Sequence, residues 1–250
     1  MKRTYMILFF ALLFAKVSAT TDSLYLRANE LYQEGEYEMA LNVYREITGE
    51  GVESPGLYYN MGNAAYRSNS IGYAILYFEK TLKLDPSHDD ARHNLEFVSR
   101  YRLDTFEQVP ELFLTSWSRV LVRSLSESTW SILALILFVV FLGSILIYLF
   151  SQRLPLKKMG FIIALFGLLL FVISLSSALS SHKNIIQPEA GIILSPSVVV
   201  RSSPSDSGTE LFILHEGTKV KINEEVSGWH NIRVIDGREG WIGSADFESI

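Results

Sequence analysis

The chain has 250 residues, a net charge of −5 and no cysteine. Nearly half of its residues (48%) are hydrophobic, which is high for a soluble protein, so we expect part of the chain to lie in lipid. The lack of cysteine excludes disulfides, thiolate metal sites and thiol catalysis. Acidic residues outnumber basic ones by 14 to 8 over residues 20–105 and by 10 to 5 over residues 186–250. This balance argues against nucleic-acid binding, which needs clustered Lys and Arg.

The first nineteen residues have the pattern of a signal peptide. Lys2 and Arg3 precede an apolar stretch, residues 5–15, that is too short to span a bilayer comfortably. Small residues at 17–19 have the usual spacing of a cleavage site. We therefore predict a signal peptide over residues 1–19. An uncleaved anchor would leave the following residues on the same side of the membrane.

Residues 20–104 contain an internal repeat with a period of 34 residues. The repeat places small residues at equivalent positions in both copies, followed by an aromatic residue; these are Ala28 and Gly62, Ala40 and Ala74, and Tyr44 and Phe78. This pattern resembles the tetratricopeptide repeat, a helical hairpin that binds other proteins. A third, partial copy begins at Asp89, and we predict that it forms a capping helix. The alternative is an ordinary helical bundle.

Residues 105–128 have the pattern of an amphipathic helix. Pro110 is suited to a first helical turn, and apolar residues recur after it at helical spacing: Phe113, Leu114, Trp117, Val120, Leu121 and Leu125. With Arg119 and Arg123 among the polar positions, such a helix could lie in the membrane interface. It could equally pack on the repeats, and the sequence leaves both alternatives open.

Two apolar runs, residues 129–150 and 159–180, predict a transmembrane hairpin. The uncharged stretch 130–150 would form a helix of about 31 Å, which matches the hydrocarbon thickness of a bilayer. The connecting loop, residues 151–158, carries three basic residues and no acid, so the positive-inside rule places it in the cytoplasm. Both large flanks would then face the periplasm from the inner membrane. Neither run contains an ionisable residue, which argues against a transport function.

Residues 186–250 change to short runs rich in Val, Ile and aromatic residues. Turn signals such as Glu216-Gly217, Ser227-Gly228 and Asp236-Gly237 separate these runs. The series of Val-Val-Val-Arg-Ser-Ser-Pro, Gly-Trp-His-Asn-Ile-Arg and Asp-Gly-Arg-Glu-Gly-Trp-Ile resembles the bacterial SH3-like domain, a small β-barrel. The predicted fold class is thus multidomain: a tetratricopeptide-repeat α-solenoid, a two-helix transmembrane hairpin and an SH3-like β-barrel.

The repeat pattern also predicts a binding surface. In tetratricopeptide repeats, fixed positions of the first helix of each pair line a groove. The matching residues with polar or aromatic side chains, here called the groove residues, are Tyr25, Asn29, Tyr32, Tyr59, Asn63, Tyr66 and Arg67. The asparagines could hydrogen-bond to the backbone of a bound peptide, and the tyrosines could stack on it.

The order of these segments resembles the BatE-type proteins of the bacterial aerotolerance (Bat) operon. The resemblance implies a non-enzymatic membrane scaffold that works beside membrane proteins with von Willebrand A domains and, indirectly, a MoxR-type AAA ATPase. The five histidines form no HExxH pattern, and phosphate-loop and nucleophile-elbow motifs are absent. We therefore expect no catalysis and no cofactor. The alternative is a cell-wall sensor or anchor that binds peptidoglycan through the SH3-like domain.

Overall fold

The computed structural model describes residues 21–106, 124–186 and 190–250. The predicted signal peptide and most of the predicted amphipathic helix lie outside the described residues. Residues 21–33 are helical and form α1. The other helices are α2 (Tyr37–Gly49), α3 (Pro55–Arg67), α4 (Ile71–Leu84), α5 (Asp89–Ser99), α6 (Glu127–Phe150) and α7 (Leu154–Ile186).

Helices α1 to α4 form two hairpins that repeat one geometry after 34 residues. The turn of the first hairpin contains Gly35 with φ +87°, and the turn of the second contains Asn69 with φ +62°. Glycine adopts this left-handed conformation at no steric cost, and asparagine is among the residues that tolerate it best. In both turns the following N–H donates to a carbonyl five residues earlier, in the pairs Glu36 to Leu31 and Ser70 to Ala65.

Small residues allow the helices of each hairpin to approach closely. Ala28, Ala40 and Ala74 are fully buried, as their positions in the repeat predict. A methyl group added at Gly62 would lie 2.6 Å from the Phe78 ring, so no larger residue fits there without a shift of the ring. The interior of the hairpins is therefore packed to the level of single methyl groups.

Helices α6 and α7 form an antiparallel hairpin, and each is long and apolar enough to cross a membrane. A buried hydrogen bond of 3.0 Å joins the hydroxyl of Ser174 to the carbonyl of Trp130. Near the other end, a Cβ built at Gly160 would lie only 3.0 Å from the carbonyl of Ser144. The outer faces expose large apolar side chains, which is unfavourable in water and typical of a lipid-covered surface.

The connection between these two helices is shorter than the predicted loop of residues 151–158. Helix α7 begins at Leu154, so Lys157 and Lys158 lie at its start and the loop is reduced to residues 151–153. Pro155 explains the difference, because proline lacks the N–H that the first helical turn leaves unpaired and is favoured there.

The C-terminal segment forms a seven-stranded antiparallel sheet. Its strands are β1 (Ala190–Ile193), β2 (Ser197–Arg201), β3 (Glu210–His215), β4 (Lys219–Val226), β5 (Trp229–Arg233), β6 (Glu239–Gly243) and β7 (Phe247–Ser249), in the order β3-β2-β6-β5-β4-β1-β7. Leu214, from β3 at one end of this order, shares a core with Phe247, from β7 at the other end. The sheet must therefore curl on itself, as expected for a small barrel.

The barrel rests against helix α4, across a contact that we call the docking interface. Ile192 of β1 is fully buried in the core of the helical hairpins. Two glycines allow the close approach: a Cβ built at Gly72 would lie 3.2 Å from the carbonyl of Ile193, and one at Gly217 would lie 2.7 Å from the side chain of Ile75. Residues before and after the apolar hairpin are thus in contact.

Candidate functional site

The groove residues occupy one surface formed by the first helices of the two hairpins. Tyr25, Asn29 and Tyr32 lie on α1, and the other four lie on α3. Six of them are half-buried, whereas Arg67 is exposed. The docking interface is built from α4 and the segment after α5. In the described part of the chain, no groove residue has a hydrogen bond, ion pair or ring contact to the barrel. The groove surface and the docking interface are therefore separate.

Amide and hydroxyl side chains form a set of hydrogen bonds, here called the ladder, between the first helices of successive repeats. The amide nitrogen of Asn60 donates to the hydroxyl of Tyr25 at 2.8 Å and to the Oδ1 of Asn29 at 3.3 Å. Tyr44 donates to the same Oδ1 at 2.5 Å. Burial raises the pKa of Tyr44 to about 12, so this hydroxyl remains a donor over the physiological pH range.

The ladder recurs one repeat later with equivalent residues. The amide nitrogen of Asn94 donates to the Oδ1 of Asn63 at 3.0 Å and lies 3.5 Å from the hydroxyl of Tyr59. The side-chain oxygens of Asn29 and Asn63 are thus acceptors in contacts between helices, a role that the repeat pattern alone does not reveal. Their amide groups have no partner among the described residues, so each asparagine retains its donor for a ligand.

Aromatic rings and one guanidinium group form the end of the groove surface near the turns. Tyr32 and Tyr37 pack edge to face with ring centroids 5.2 Å apart, and the Arg67 guanidinium lies 4.7 Å from the centre of the Tyr37 ring. Arg67 also donates to the Tyr37 hydroxyl at 2.5 Å. Desolvation by burial raises the pKa of Tyr32, although the nearby Arg67 opposes this shift. Within the described residues Arg67 has no carboxylate partner, so its charge is available to an acidic ligand.

Tyr66 belongs to a different aromatic cluster. Its ring packs edge to face on Phe97 at 5.7 Å and lies 6.3 Å from Tyr101, both of which are partly exposed. A hydrogen bond with Tyr101 is the main cause of the raised pKa of Tyr66. The structure therefore brings six groove residues together with their ladder partners, and it places Tyr66 at the junction with α5.

Asp104 is the centre of a group of hydrogen bonds across the docking interface. One carboxylate oxygen accepts the backbone N–H of His215 at 2.7 Å and the hydroxyl of Thr218 at 2.6 Å. The other oxygen lies 2.8 Å from the Nδ1 of His215. Desolvation alone would raise the pKa of Asp104, but the hydrogen bonds from Thr218 and His215 outweigh it and hold the pKa below its ordinary value.

Three further contacts join α4 to the barrel. Lys80 pairs with Glu248 at 2.5 Å, Lys219 with Glu79 at 2.7 Å, and the Lys83 ammonium donates to the carbonyl of Ile250 at 2.6 Å. Beside them lies a polar cleft of about 350 Å³, formed by Arg45, Thr48, Glu53, Tyr58, Tyr73, Tyr77, Lys80 and Glu248. The sequence gives no signal for this interface, because its two sides are more than 100 residues apart along the chain.

Nothing in the described residues provides a metal centre, since no group of three or more His, Asp or Glu side chains converges there. His88 and His93, which flank Asp89 and Asp90 in the sequence, do not form such a group. His88 instead caps α5, where its Nδ1 accepts the N–H of Ala91 at 3.2 Å.

Comparison with known families assigns the C-terminal domain. Residues 196–248 match the family described as the bacterial SH3 domain, which agrees with the strand order and single core of the barrel. A search of the curated proteins finds no relative of the chain. The C-terminal domain is thus SH3-like, and with the two apolar helices it points to a membrane-associated protein of the cell envelope.

Proposed function

We propose that this protein is a non-enzymatic, membrane-anchored adaptor that holds a segment of a partner protein in the groove of its helical repeats. The observation that carries the proposal is the separation of its two surfaces: the groove residues are accessible, while the opposite side of the hairpins is occupied by the barrel. The 34-residue recurrence of turns and of the asparagine ladder supports tetratricopeptide repeats, whose general role is protein binding.

The available groups indicate what kind of segment would bind. Amide donors on Asn29 and Asn63 are spaced one repeat apart and suit the carbonyls of an extended peptide. Arg67 adds a positive charge without a carboxylate partner among the described residues, and the neighbouring tyrosines offer rings for stacking. We infer a partner segment with extended backbone and an acidic group. By the Bat-type resemblance, the partner would be a neighbouring membrane protein with a von Willebrand A domain.

The proposed location is the inner membrane, with both domains in the periplasm. The basic residues Arg153, Lys157 and Lys158 at the turn of the hairpin support this orientation. Reporter domains fused after residue 104 and after residue 250 should both give an extracytoplasmic signal. A cytoplasmic signal from either fusion would overturn this topology.

Copurification tests the groove. The double variant Tyr59→Ala/Arg67→Ala should lower the affinity for envelope partners by about tenfold or more, because aromatic and Arg side chains dominate many interfaces. Arg92→Ala is the matched control, since Arg92 is an exposed arginine of α5 paired only with its near neighbours in the described structure. Circular dichroism of each variant checks the fold. If the groove variant is folded and retains its partners, the repeats are not the binding surface.

The second candidate is a cell-wall sensor or anchor that binds peptidoglycan through the SH3-like domain. The match to the bacterial SH3 domain family favours it, as do Leu211 and Ile213, which are exposed on the terminal strand β3. Sedimentation of the detergent-solubilised chain with purified sacculi tests this candidate. Binding that is lost in the variant Leu211→Ser/Ile213→Ser and retained in the groove variant would favour the cell-wall function over the adaptor.

A further inference from the structure

A cleft of about 440 Å³ lies where α6 meets α7, at the end of the apolar hairpin. Its lining combines two lysines with aromatic and aliphatic side chains: Tyr148, Leu154, Lys157, Lys158, Phe161 and Ile162. The rings of Tyr148 and Phe161 lie 5.7 Å apart. The ammonium group of Lys157 lies 5.4 Å from the centre of the Tyr148 ring. The cleft thus combines cationic groups with apolar and aromatic surface.

The charges of this cleft lack a carboxylate partner. Among the described residues, neither Lys157 nor Lys158 pairs with a carboxylate, and residues 151–158 contain no acid at all. Lys158 is exposed and Lys157 is partly exposed, so both ammonium groups are accessible to an anion at the membrane surface. The anion must also tolerate apolar neighbours, because Leu154, Phe161 and Ile162 form the rest of the lining. A compact inorganic anion would leave that apolar surface uncovered.

We propose that this cleft binds an anionic phospholipid, with its phosphate on Lys157 and Lys158 and its acyl chains along Phe161 and Ile162. The Tyr148 ring lies at the level expected for an interfacial aromatic anchor. This inference rests on the membrane insertion contained in the proposed function. It adds a specific lipid site to what would otherwise be a passive anchor.

The test measures lipid preference of the full chain in nanodiscs. Spin-labelled phosphatidylglycerol and phosphatidylcholine are compared, and the immobilised fraction of each label reports contact with the protein. Lys157→Gln/Lys158→Gln should lower the preference for phosphatidylglycerol by roughly 30-fold if both charges meet the headgroup. Arg153→Gln is the matched control, because Arg153 lies in the same turn but does not line the cleft. Diffuse attraction to the surface would cost about fivefold for one charge, so a lipid held in the cleft predicts a smaller change in Arg153→Gln.

Three outcomes would overturn the lipid site. A loss of about fivefold or more in Arg153→Gln, equal per charge to that of the double variant, would show diffuse attraction to the surface. An unchanged preference in the double variant would show that the lysines bind no lipid. Full competition by water-soluble glycerol phosphate would identify a site for free phosphate. Carbonate extraction separates this inference from the anchor itself: a chain that stays in the membrane without lipid preference contradicts only the lipid site, whereas a chain released by carbonate contradicts the membrane hairpin.

Discussion

Substitution of Asp104 by Asn should weaken the docking interface without unfolding either domain. The Asp104 side chain is only 11% exposed, and its carboxylate receives three hydrogen bonds, from the His215 backbone, the His215 ring and Thr218. An Asn side chain keeps one acceptor oxygen and turns an amide group towards a donor. Because a hydrogen bond to a charged group contributes about 1.5–3 kcal/mol, we expect a loss of about 2 kcal/mol of docking free energy.

Hydrogen exchange of the full chain in detergent micelles measures this loss. The His215 amide donates directly to Asp104, so a docking loss of this size should speed its exchange by roughly 30-fold. Asp89→Asn is the control, since the Asp89 side chain is 88% exposed and forms only a surface ion pair with Arg92. Unchanged exchange at His215 would refute the reasoning. Faster exchange at the buried Ile232 as well would mean that the barrel unfolds instead of undocking.

The same carboxylate gives the interface a defined pH dependence. The pKa of Asp104 is lower in the folded protein than its ordinary value of 3.8. Its contribution to docking is therefore fully present above pH 3.8 and is lost as the pH falls through the lower folded-state pKa. After correction for intrinsic rates, His215 exchange should be flat from about pH 7 to 5 and should rise below 3.8. A rise already near pH 6 would assign the dependence to another group.

Two further predictions test the packing described above. A Cβ built at Gly72 lies 3.5 Å from the Cβ of Glu216, within the range of disulfides, so Gly72→Cys/Glu216→Cys should crosslink under mild oxidation. Mass spectrometry should find no crosslink when the second cysteine is placed at the exposed Glu225. Gly62→Ala should destabilise the hairpins by about 1–3 kcal/mol. Gly56→Ala is the control and should not destabilise them, because the space around Gly56 is open. Thermal melts that rank the two variants in the opposite order would contradict the close packing.

Local patterns in the sequence predict much of this fold. The positions of small residues predict the close packing at Ala40 and Gly62, and Asp85-Pro86 predicts that α4 ends at Leu84. The run from Ile192 to Arg201 reads as one strand, but the structure divides it between β1 and β2. The sequence pattern does not predict β7, because three residues are too few to show the alternation of a strand.

The repeat positions predict which residues form the groove surface, but they predict only part of its hydrogen bonding. Asn29 and Asn63 follow from the repeat positions of the groove. Asn60 and Asn94 also recur at the 34-residue period, but only the structure shows that their amides donate to those asparagine oxygens. The docking interface could not be predicted, because single residues such as Asp104 and Thr218 meet through the arrangement of whole domains. The basic segment around Pro155 is predicted as a loop, whereas in the structure α7 already begins at Leu154.

The docking interface also constrains how the chain is assembled. In the proposed topology, synthesis places α4 in the periplasm before either apolar helix exists, yet α4 is covered only when β1, β7 and Ile250 arrive. A chain whose second apolar helix fails to cross leaves its barrel on the wrong side, and the apolar surface around Ile75 stays uncovered and prone to aggregation or proteolysis. In that topology, only a chain that has crossed the bilayer an even number of times after its repeats can complete this contact.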